Sequence, residues 1–162
     1  MSNFGAHSSK QSASQGGYMH CTIGALFITS HLFVTTMAMK QQIKVLGAGV
    51  SSANGRYLPQ PPADIPVGFA KVCKKSFWNT EVMWEQLSDL HTPWYLKDDD
   101  AYIYFNKGDG KWWLDAPEGN GLYIASGKGG INAVPPTSGW QTLREDYGDL
   151  PSFEFSDVKD DL

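Results

Sequence analysis

The sequence predicts a mainly β fold: a single small antiparallel sheet domain, meander or sandwich-like, with one short helix. Three observations lead there. From Lys40 onward, short apolar runs are separated by Gly, Pro and Asn signals, and little in them sustains a long helix. Ala101 to Phe105 alternates strictly, with Tyr102 and Tyr104 on one face and Ala101, Ile103 and Phe105 on the other. The chain is 162 residues long, 41% hydrophobic and 13% aromatic, which is one domain in size and too rich in rings for a disordered chain.

The elements follow in chain order. Ile43 and Val45 alternate with polar neighbours, and Gly47-Ala48-Gly49 and Asn54-Gly55 mark turns before a strand at Arg56-Tyr57-Leu58. Pro59 to Pro66 reads as an extended loop, and Phe69 to Phe77 as a strand. Asn79-Thr80-Glu81 offers a cap to the one helix, in which Met83, Leu87 and Leu90 recur at helical spacing. Lys107 to Gly110 is a four-residue hairpin loop leading from the Tyr strand into Lys111-Trp112-Trp113-Leu114. Symmetric pairing about that loop sets Trp112 opposite Phe105, facing inward, and Trp113 opposite Tyr104 on the Tyr face. Glu118 to Gly121 turns the chain into Leu122 to Ala125, so three strands form a meander. Pro135 and Pro136 limit any neighbouring strand to an edge, and Trp140 to Leu143 and Phe153 to Phe155 are the last strands.

The ends differ from the domain, taken as residues 40–156. Residues 1–20 are rich in Ser, Gln and Gly without period and are expected to be disordered. Residues 21–39 carry no formal charge, about the length of a membrane span, yet Thr, Ser and His dilute them. A signal, an anchor and buried strands of the domain all remain open readings, with Thr36-Met37-Ala38 as a poor cleavage site and a true start at Met37 or Met39 as a further alternative. Residues 157–162 form an acidic tail, and its Lys159-Asp160-Asp161-Leu162 is one methylene short of a luminal retention signal. Localisation therefore stands open between the cytoplasm and a membrane or endomembrane lumen. Two cysteines, Cys21 and Cys73, are too few for a disulfide framework.

In their order, Gly47-Ala48-Gly49, Asn54-Gly55-Arg56-Tyr57, Tyr102 to Tyr104, Gly110-Lys111-Trp112, Tyr123 and Pro136-Thr137-Ser138-Gly139-Trp140 are distinctive. Over about residues 42 to 155 they resemble an aromatic-rich β module of algal and protist proteins. The resemblance implies a β fold and supplies no catalytic residue.

Charge narrows the partners. With 13 Lys and Arg against 17 Asp and Glu, a net −4, the chain is not built to grip nucleic acid. Ile43 to Gly49 imitates a dinucleotide-binding strand and turn, but Asn54-Gly55 and Pro59 forbid the helix that must follow. Gly127-Lys128 lacks the other residues of a phosphate-binding loop. Asp98-Asp99-Asp100 has no loop to complete a calcium site and reads as a solvated acidic turn. Arg56 to Pro62 has the form of an SH3 ligand, though Tyr57 and Leu58 belong to a strand. No cofactor or metal is expected.

The aromatic excess is the most informative feature. Adjacent Trp112 and Trp113 must point to opposite faces of a strand. The inward one builds the core, and Trp113 with Tyr102, Tyr104 and Tyr123 is expected to present an exposed ring face to a protein or glycan. The leading expectation is a non-catalytic binding module. The alternatives are a membrane-tethered or luminal accessory subunit placed by residues 21–39, and a thiol enzyme using Cys73 and His91, against which stands a structural Cys73.

Overall fold

The computed structural model describes residues 41–158. The expectations for residues 1–20 and 21–39, and for Lys159 to Leu162, lie outside them. Among the described residues no helix is long and apolar enough to cross a membrane.

The domain is mainly β. Eight strands form one antiparallel sheet: β1 Gln41–Leu46, β2 Gly55–Gln60, β3 Trp94–Lys97, β4 Tyr102–Asn106, β5 Lys111–Asp115, β6 Gly121–Ser126, β7 Trp140–Thr142 and β8 Ser152–Asp157, in the order β7-β6-β5-β4-β3-β2-β1-β8. The sheet curls until its two edges meet: Trp140 on β7 stacks on Phe153 on β8, with centroids 4.4 Å apart and planes 2° from parallel. Side chains on the inner face alternate along every strand and fill the curl, among them Ile43, Val45, Tyr57, Tyr95, Ile103, Trp112 and Leu114. One hydroxyl fastens the curl at its end. That of Tyr123 accepts from Val50 N and lies within hydrogen-bond distance of the Tyr147 and Asp149 carbonyls, tying β6 to the loops at the ends of β1 and β7.

The hairpin register is the expected one. Asn106 pairs with Lys111, Phe105 with Trp112 and Tyr104 with Trp113, because a four-residue loop leaves the flanking strands one way to meet. Trp112 is fully buried in the curl.

Several expectations are corrected. Phe69 to Phe77 is not a strand: Val67–Lys75 is a helix, α1, so the domain has two helices where one was expected. Phe69 and Cys73 are buried at helical spacing while Lys71, Lys74 and Lys75 stay in water, a 3.6-residue period that a strand cannot satisfy. The predicted helix is α2, Thr80–Leu87, capped by the Asn79 side chain on Val82 N at 2.9 Å. It stops before Leu90 because Ser88 turns extended and bridges to Asn106 on β4.

The proline stretch is also shorter as a loop than expected. Pro59 and Gln60 belong to β2 and pair with Tyr95 and Trp94 of β3, a strand not expected from the sequence. Pro59 is tolerated there because the ladder with β1 ends at Tyr57, so no donor is required of it on that side. The Pro61 and Pro62 carbonyls accept from the indole nitrogens of Trp94 and Trp84, at 2.9 Å and 3.1 Å. Gly47-Ala48-Gly49 leads into a single 3-10 turn, Ser51–Ala53, and the Asn54 side chain bonds both Ala48 N and Ala48 O.

Candidate functional site

Both helices lie on the outer face of the sheet, over β3, β4 and β5. The register brings Tyr102 opposite Asp115 and Tyr104 opposite Trp113, so these four side chains share that face. Above them, Phe69 meets the Trp84 ring edge-on at 4.9 Å, and Trp84 meets Tyr104 at 5.6 Å. Gly68 permits the close approach of α1: a Cβ there would stand 2.7 Å from the Tyr102 ring.

The expected open aromatic face is therefore not open. Tyr102 and Tyr104 are buried under the helices, and Trp113 is half-buried. Tyr123 is on the other face altogether, fully buried inside the curl, because it pairs with Leu114, which in turn pairs with the inward Ile103. A bulge between Leu114 and Asp115 lets Leu122 also turn inward beside it.

Between helices and sheet a cavity of about 200 Å³ remains, and three of the four expected residues, Tyr102, Tyr104 and Trp113, line it together with Phe69, Cys73, Trp78 and Asp115. Two polar atoms of its lining residues are poorly met. The Tyr102 hydroxyl and Asp115 Oδ1 are buried, and among the described residues neither makes a well-formed hydrogen bond; the two side chains lie close enough to interact only weakly with each other. Burial pushes the Asp115 carboxyl up to about 7, offset only in part by the neighbouring Tyr102 hydroxyl. Burial likewise holds both tyrosine hydroxyls far above their ordinary range, with the negative field of Asp115 adding to it. The Trp113 indole donates to Asp109 at 2.9 Å.

The turn between the helices brings Trp78 to the cavity wall. Trp78 N donates to the Cys73 carbonyl at 2.9 Å and Phe77 N to the Lys74 carbonyl, the paired bonds that end a helix with one left-handed residue. That residue is ordinarily Gly. Here it is Phe77, at φ 57° and 98% exposed, a strained backbone position that holds a large apolar ring in water. Trp78 beside it is half-exposed while also forming part of the cavity wall.

Sequence reasoning missed Phe69 and Trp78, and it names Asp115 only as an acidic neighbour of the exposed rings, without its place opposite Tyr102. Asp115 was accessible to it: the counting that sets Trp113 opposite Tyr104 also sets an acid opposite Tyr102, two strand positions on. Phe69 and Trp78 depended on recognising α1.

Cys73 faces this cavity from α1 and is buried, which pushes its thiol up; the Thr80 side chain opposes this and Glu81 adds to it. His91 is exposed in the turn after α2 and is not among the groups acting on Cys73. A buried thiol raised in this way is a poor nucleophile, so iodoacetamide should label native Cys73 far more slowly than the urea-unfolded chain at neutral pH. Equal rates would contradict its burial.

A second concavity, about 550 Å³ and open, lies outside β2 and β3 between Arg56, Leu58, Gln60, Leu96 and Asp98. No aromatic ring lines it. Asp99, in the acidic turn beyond, receives the Lys97 ammonium and Ala101 N. Comparison of the chain with known protein families, with curated proteins and with solved structures finds no match.

Proposed function

We propose that this domain is a non-catalytic binding module that takes a protein side chain, or a small molecule of that size, into the cavity between its helices and its sheet. Phe77 and Trp78 form the exposed lip against which the partner rests. The observation that carries this reading is a largely apolar, ring-rich wall to which two residues with buried, poorly bonded polar atoms belong, Tyr102 with its hydroxyl and Asp115 with Oδ1. Leaving such a group unpaired costs about 1–3 kcal/mol, and a ligand that meets it recovers that cost. A predominantly apolar cavity with a few convergent polar groups is also the common form of a small-ligand site. Stacking of an extended sugar on an open sheet is disfavoured, since Tyr102 and Tyr104 lie beneath the helices.

The test is a ligand-observed magnetic resonance screen of small neutral, anionic and cationic organic molecules against the full chain. Binders are expected, and each should be lost in Trp78→Ala and in Val72→Trp, the second of which replaces a small aliphatic side chain of the cavity wall by a bulky ring. Melting curves of both variants guard against unfolding. If folded variants retain every binder, the ligand is held elsewhere and the reading fails.

A further inference from the structure

The walls of the cavity also select the chemistry of the group that enters, an inference that rests on the binding reading above. We propose that the cavity is a site for an organic ammonium group, whose positive charge meets the Asp115 carboxylate and the rings of Tyr102, Tyr104 and Trp113.

Charge is the first ground. The charged groups acting on the cavity side chains are acids: Asp115 on Tyr102, Asp115 and Asp109 on Tyr104, and Glu81 on Cys73. The α1 lysines do not answer them. The Lys71 ammonium lies against the Pro117 carbonyl at 3.3 Å, and Lys74 and Lys75 stand on the exposed face of the helix. Asp115 thus sits buried with no cation beside it among the described residues, and the raised position of its carboxyl is the signature of that isolation.

Hydrogen bonding is the second. An anion entering here would meet the Asp115 carboxylate, and the Trp113 indole N–H that would hold it is already given to Asp109 outside the cavity. A purely apolar group would fill the space but leave Asp115 Oδ1 and the Tyr102 hydroxyl unmet. A cation offsets the charge of the carboxylate, through a hydrogen bond where its nitrogen carries hydrogen and through Coulomb attraction alone where it is fully methylated, and it gains from the negative faces of aromatic rings, which bind ammonium groups most strongly when water is excluded. Size is the third ground. About 200 Å³ admits a methylated ammonium head with a short stem and excludes anything as large as a nucleotide. A methylated lysine of a protein and a free quaternary amine present the same head.

The probes are choline, its neutral isostere with a quaternary carbon in place of nitrogen, and a short peptide carrying trimethyllysine beside its unmodified twin. Each is titrated into the full chain and followed by magnetic resonance. Choline should bind at least about tenfold more tightly than the isostere. Asp115→Asn should weaken choline by about tenfold to a hundredfold and leave the isostere unchanged, so a misfolded variant is recognised by loss of both. Choline affinity should also fall between about pH 8.5 and about pH 5.5, as Asp115 takes up its proton, while that of the isostere does not. Cys73, Tyr102 and Tyr104 stay neutral across that range, each raised by burial, and Asp109 and Glu81 are the remaining charges facing the site. Tighter binding of the trimethyllysine peptide than of choline assigns the head to a protein partner, and the reverse assigns it to a free amine. Isostere binding equal to choline overturns the ammonium assignment and leaves the pocket reading standing. If neither these probes nor any screened molecule binds, both fall.

Discussion

Trp112→Ala should destabilise the domain by roughly 3–5 kcal/mol, and Trp113→Ala, one residue away, by about 1–3 kcal/mol. Trp112 is fully buried within the curl, 5.6 Å from the Phe105 ring and 6.5 Å from Tyr95, and Gly127 is so close that a Cβ there would lie 2.6 Å from the indole. Removing it leaves a ring-sized hole inside a sheet that cannot collapse without breaking its ladders. The loss is moderated because the Trp112 indole N–H is itself buried without an acceptor among the described residues, so truncation also removes an unmet donor. Trp113 is half-buried, and the helices above it can settle into part of the space it vacates. Urea unfolding of the two variants side by side decides the matter. Equal large losses would mean that the outer ring is tied up in packing to the same degree as the inner one, which would weaken the case that it serves a ligand.

Asp115→Asn should have the opposite sign. The native carboxyl keeps its proton up to about 7, whereas in the unfolded chain it releases it near its ordinary value of 3.8. Between those values the native state binds more protons than the unfolded state, so stability falls as pH rises through the window and is lowest, and flat, above it. A gap of that size corresponds to roughly 4 kcal/mol, reduced by whatever hydrogen bonds the new amide leaves unmade. The difference in unfolding free energy between variant and natural chain is therefore expected to grow from near pH 4 to about pH 7 and then level off. Taking the difference cancels titrations elsewhere, such as that of the exposed Arg144–Asp146 pair. A difference independent of pH would show that Asp115 is not isolated in the folded domain. A variant that is more stable yet no longer binds would mark Asp115 as a residue kept at the expense of stability.

The sequence by itself determined the fold class and one whole unit of the sheet. Alternation in Ala101 to Phe105, a four-residue loop and the Trp pair leave a single register, and from it follow the burial of Trp112 and the company of Trp113 with Tyr104. These are local facts, settled by a period of two and a loop length. It did not determine which face of that hairpin meets water. That depends on α1, whose Phe69 and Cys73 carry a helical period too short to stand out against a run of apolar residues that also suits a strand. The side on which Tyr123 falls depends on its pairing with Leu114, next to a bulge between strands that no spacing announces. Tertiary structure alone decided that the Tyr face would be roofed, that the roof would leave a gap, and that an acid would stand unpaired within it. The reason is physical: alternation sorts side chains onto two faces, but whether a face is core or surface is decided by what packs against it from far along the chain.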